Sequence, residues 1–105
     1  LLKMKLYNTK NQEIPLERLV KDQVYYFEDT YDRMGKHNPQ IQEEDRFNAI
    51  VTYEGLVIEP ETGLDMEVAS FRALSLSSTD EYLKIGCLIY RGLDDSDIII
   101  KELEN

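Results

Sequence analysis

The chain has 105 residues, with 21 Asp or Glu against 12 Lys or Arg and a formal net charge of -9. That length makes one domain around one core, and the shortage of cations argues against direct binding to nucleic acid or anionic membrane, which relies on cations displacing counterions from phosphates. A single cysteine, Cys87, excludes an internal disulfide and a cysteine-rich metal site; it points to a cytoplasmic chain, and no stretch approaches the roughly 20 apolar residues of a membrane-spanning helix.

Leu1, Leu2 and Lys3 precede Met4, the expected native start, and the N-terminus lacks the form of a signal peptide. Leu2, Met4 and Leu6 alternate with polar neighbours and predict a short strand with one buried face. The polar stretch Asn8 to Gln12 reads as a turn. Pro15 then sits at the position a helix start tolerates, with Leu16, Leu19 and Val20 on one side of a single helical turn.

Val24-Tyr25-Tyr26-Phe27 is the densest aromatic run and is apolar on both faces, which predicts a central or covered strand. From Asp29 to Asp45 only Tyr31, Met34 and Ile41 interrupt a polar composition, so 29–45 is expected to be a long mobile loop of the kind that carries contacts. Phe47, Ala49, Val51 and Tyr53 then alternate with less apolar residues. Glu54-Gly55 offers a reversal, Leu56-Val57-Ile58 runs into Pro60-Glu61-Thr62-Gly63, and Leu64, Met66 and Val68 resume the period of two. The expected object is a three-stranded meander with turns at 54–55 and 60–63.

Phe71 and Ala73 continue the third strand, after which two rules compete. Ser78 with Glu81 forms a capping box and Gly92 a C-cap for a helix over 79–91, whereas Gly86 and the run Ile85 to Tyr90 favour a short helical turn followed by a buried strand. Ile98-Ile99-Ile100 is the last strand, and its consecutive apolar residues offer an edge for self-association. The expected fold is mainly β, with α+β as the alternative: a small barrel or sandwich of about six mostly antiparallel strands with one or two short helices.

Catalytic groups are scarce. His37, the one histidine, lies in the polar loop between Asp32 and Glu43, and the serines lack a nucleophile elbow. The five glycines are scattered, so neither a phosphate loop nor a dinucleotide fingerprint is present. Asp94-Asp95-Ser96-Asp97 offers several oxygens in a short loop but lacks the glycine and terminal glutamate of an EF-hand, and reads as an acidic turn. No cofactor, metal site or catalytic residue is expected.

Seven tyrosines with no tryptophan supply ring area with one hydroxyl each, the chemistry of protein interfaces. The expected function is a non-enzymatic acidic interaction domain that meets a protein partner through Tyr25, Tyr31, Met34, His37, Ile41 and Tyr53. The second expectation is an acidic decoy that imitates nucleic acid and occupies the binding site of a DNA- or RNA-binding protein, as phage and mobile-element inhibitors do. The third is a ligand pocket lined by Tyr25, Phe27, Tyr53 and Tyr90, with Glu28 or Asp45 as its polar group.

Overall fold

Strand-forming runs dominate the computed structural model of the chain, which describes residues 3–30, 47–60, 65–77 and 84–104. The strands are β1 (Lys5–Tyr7), β2 (Glu13–Ile14), β3 (Val24–Asp29), β4 (Phe47–Ile58), β5 (Glu67–Ser77), β6 (Leu88–Gly92) and β7 (Ile98–Glu102). They form one 7-stranded sheet in the order β2-β1-β7-β3-β4-β5-β6. The β1–β7 pair is parallel and the other neighbours are antiparallel. Helix is confined, among the described residues, to a 3₁₀ turn at Leu16–Arg18 behind Pro15, so the molecule is mainly β.

The sheet is not flat. β6 stands at the end of the strand order, four places from β7, yet the two are joined by the short segment 93–97, itself folded into tight turns by Asp95 N–H to Gly92 O at 3.0 Å and Ile98 N–H to Asp95 O at 3.3 Å. Four strand spacings in a flat sheet come to about 19 Å. Strong curling brings the ends together, and two contacts mark the closure. Met4 N–H, just before β1, donates to Leu93 O at 2.9 Å, and Arg91 of β6 pairs with Asp29 of β3 at 3.1 Å.

Bulges make that curl. The β4–β5 register shifts between Ile50 and Val51 and again between Tyr53 and Gly55, leaving Leu74 and Glu54 as extra residues. Gly55 has φ of 96°, a conformation that side chains other than glycine's resist. The predicted reversal at Glu54-Gly55 is therefore a bulge within one 12-residue strand: a lone glycine between apolar runs marks a break in pairing as readily as a turn. The second expected reversal does join two strands, since Ile58 pairs with Glu67 and Glu59 N–H donates to Met66 O at 2.8 Å.

One core fills the curl. Phe27 stacks on Phe47 at 5.6 Å and meets Phe71 at 5.0 Å, and Phe71 meets Tyr53 at 5.4 Å. Met4, Leu6, Tyr25, Val51, Ile89, Ile98 and Ile100 complete it, with Leu16 and Leu19 of the 3₁₀ turn packed against its margin. Phe27 and Phe71 lie on strands two places apart, so their contact is itself a product of the bend.

Other expectations need correction. Ile98 and Ile100 are fully buried because β7 runs between β1 and β3, so this strand offers no edge for self-association. Ile85 and Leu88 are exposed and of the run 85–90 only Ile89 is fully buried, because β6 is an edge strand with one side against the core. Residues 88–92 are strand, so no helix extends to Arg91; residues 78–83 lie outside the described ones. Of the expected 29–45 loop, Asp29 is instead the buried last residue of β3, and residues 31–45 lie outside the described ones.

Candidate functional site

The outer half of the β4–β5 hairpin is a place where the described chain leaves apolar side chains and sheet backbone uncovered together, as the β6 edge with Ile85 and Leu88 is another. β3 pairs with β4 as far as Thr52. Asp22 N–H then donates to Tyr53 O at 2.7 Å, and Tyr53 N–H to Gln23 O at 3.0 Å. Beyond Tyr53, β5 is the strand paired with β4 among the described residues.

The bulge decides which side chains this stretch displays. Directly opposed residues share a sheet face. Tyr53 opposes Phe71, Leu56 opposes Ala69 and Ile58 opposes Glu67. Leu56 and Ile58 therefore continue the core face past the point where β3 covers it, and they are 46% and 56% exposed. Met66, opposite Glu59 on the other face, is 49% exposed.

The hairpin's own residues at this end carry one sign of charge, while Arg72 and Lys21 reach it from outside. Residues 54–60 and 65–71 hold Glu54, Glu59, Asp65 and Glu67 and no Lys or Arg. Glu54 is engaged by Arg72 Nε at 3.0 Å, while Arg72 Nη1 donates to Gly86 O at 2.9 Å, so that guanidinium ties the bulge to the turn before β6. Glu67 lies close enough to Tyr53 to act on its hydroxyl. Burial first, then the Tyr25 hydroxyl and the Glu67 carboxylate, push the Tyr53 pKa above its ordinary value.

Two of the sequence-predicted contact residues lie among the described residues. Tyr25 is a core residue whose hydroxyl accepts Val20 N–H at 2.9 Å, and Tyr53 is buried against Phe71. Neither presents its ring to a partner, because each stands on the inward side of its strand. Tyr31, Met34, His37 and Ile41 lie outside the described residues. Phe27 joins Tyr25 and Tyr53 in filling the interior where the ligand pocket was expected, Tyr90 is half-buried on β6, and Asp45 lies outside the described residues.

Elsewhere a groove of about 270 Å³ runs between β1, β2 and the 3₁₀ turn, bordered by Lys3, Lys5, Glu13 and Pro15. In the acidic turn the Asp95 carboxylate accepts Asp97 N–H at 3.1 Å, which is turn chemistry. Among the described residues no group of three or more His, Cys, Asp or Glu is placed to hold a metal ion, and no helix is long and apolar enough to cross a membrane.

Leu56, Ile58 and Met66 were not singled out by sequence because an apolar run beside a glycine reads as an ordinary half-buried strand. The exposure of Leu56 and Ile58 follows from β3 ending short of them. Fold and surface together define a small, acidic, curled β domain with an uncovered apolar and anionic hairpin. No known protein family matches the chain, and neither the curated proteins nor the solved structures compared with it gave a match.

Proposed function

We propose that this chain is a non-enzymatic, cytoplasmic protein-interaction domain that meets its partner with the outer half of the β4–β5 hairpin. The observation that carries this is the coincidence of Leu56, Ile58 and Met66, each close to half exposed, on a hairpin end whose own residues 54–60 and 65–71 carry only acidic charge. Exposed apolar side chains rimmed by charge are what an association surface requires, since burying them is favourable and the charges select the partner. Single exposed leucines are ordinary; Leu56 and Ile58 side by side on one face, with Met66 across the same hairpin end, are not.

The test is affinity capture from source-cell lysate with the unaltered chain and with Leu56→Asp/Ile58→Asp, partners being identified by mass spectrometry. Loss of a specific partner with the doubly substituted chain is the expected result. An unchanged partner set would reject this surface as the contact.

Charge distribution favours a second reading, the nucleic-acid decoy. Residues 1–21 hold five Lys or Arg and two Asp or Glu, a net of +3, which leaves -12 of the total -9 to residues 22–105. A net negative charge of this size attracts a basic site. Captured partners that bind nucleic acid and are released at high salt would support the decoy, because screening removes exposed charge contacts. A salt-resistant partner would support the apolar surface.

A further inference from the structure

Resting on that interaction surface, we infer that its partner is an extended basic segment that adds to the sheet as a strand beside residues 54–58 of β4. Three observations converge on this occupant. The first is backbone. Glu59 N–H donates to Met66 O at 2.8 Å, so Glu59 turns its peptide toward β5. The alternation of an antiparallel ladder then turns the peptide groups of Val57 inward and those of Leu56 and Ile58 outward. No described residue pairs with this outer side.

The second is side chain. Leu56 and Ile58 lie on one face, next in line to the buried Tyr53–Phe71 pair, so apolar residues placed opposite them would extend the core cover. The third is charge. This hairpin half is exclusively acidic over the described residues 54–60 and 65–71, and Asp65 and Glu67 are exposed. Edges of soluble proteins are usually blunted by lysine or proline. Residues 54–58 of β4 have neither and display Leu56 and Ile58 instead, with the Lys21 side chain lying against Gly55 and Pro60 following the strand end. A partner strand that places apolar residues beside Leu56 and Ile58 and also carries Lys or Arg for the carboxylates of this acidic end meets all three requirements.

The experiment titrates the full chain with a labelled peptide alternating Val and Lys, and with the same peptide carrying Glu for Lys, while backbone amide exchange is followed. Saturable binding of the basic peptide alone, with slowed exchange at the Leu56 and Ile58 amides, is expected. Ile58→Pro, which removes an outward N–H that an edge strand can forgo, should weaken binding about tenfold more than Ile58→Ala, the worth of one lost hydrogen bond. Equal binding of the acidic peptide, or unchanged exchange at both amides, would overturn the inference. So would slow exchange there in the free chain together with concentration-dependent sedimentation, since a second copy would then hold the edge. If cellular capture depends on Leu56 and Ile58 while their amides stay unprotected, strand addition fails and the interaction surface stands. If capture ignores both side chains, the surface itself fails.

Discussion

Asp29 and Arg91 show how single side chains hold the curl shut. The Asp29 carboxylate is 2% exposed, and Arg91 reaches it with both Nε, at 3.2 Å, and Nη2, at 3.1 Å, while the guanidinium lies 5.9 Å from the centre of the Phe47 ring. Removing one charge strands the other in a dry site, so Asp29→Ala should lower stability by about 3 kcal/mol, read as a shift in the urea midpoint with unchanged slope. Gly55 acts through backbone alone. The nearest atom to an added Cβ is 3.7 Å away, so Gly55→Ala should cost about 1–2 kcal/mol from its positive φ and nothing from a clash.

Two buried hydroxyls add a pH dependence. Burial raises the pKa of Tyr25, against the lowering effect of the Val20 N–H bond, and burial raises Tyr53 as well, both from an ordinary 10.0. The folded chain therefore holds these protons more tightly than the unfolded one. That stabilisation is complete below pH 10.0 and is lost as pH rises through the raised folded values. Denaturation midpoints followed into alkali should fall, and Tyr53→Phe should make the fall shallower; an equal slope would contradict the assignment.

The β4–β5 hairpin is the element on which both fold and surface depend. Its inner half carries Val51, Tyr53, Phe71 and Ala73 into the core, and Phe71→Ala should cost about 3–5 kcal/mol because two aromatic contacts go with the ring. Its outer half is dispensable for stability: Leu56→Asp/Ile58→Asp should leave the thermal midpoint close to that of the unaltered chain while abolishing partner capture. Sequence periodicity located this element well. Phe47, Ala49, Val51 and Tyr53 all face inward as their alternation implied, and β3 is central as its aromatic content implied.

What periodicity missed was non-local. Whether Gly55 reverses the chain or bends it depends on the residues opposite, Ser70 and Phe71, which no local window contains. The burial of Ile98 and Ile100 depends on β1 arriving beside them from the other end of the chain. The two-residue β2 has too few residues to show a period and exists by pairing with Leu6 and Tyr7. The exposed trio Leu56, Ile58 and Met66 was visible as apolar residues but not as surface, for the same reason.

For the whole molecule, curling and net negative charge act together. Closure of the sheet leaves β2 and β6 at its ends and the outer half of β4 beyond β3 as the exposed sheet margins among the described residues. β2 is only two residues long, whereas residues 54–58 offer a longer margin. The net charge of -9 and the acidic residues of the hairpin end should attract an approaching basic partner before apolar contact is made. Raising salt should therefore slow association with a basic peptide much more than it speeds dissociation, as stopped-flow mixing would show.

The most direct measurement is amide hydrogen exchange of the chain alone and bound to its captured partner. Protection gained at Leu56, Ile58 and Met66, with the core of β3 and β7 unchanged, is the predicted result. Protection centred instead on the groove beside Lys3 and Lys5, or on the free side of β6, would contradict the assignment of the hairpin as the contact surface.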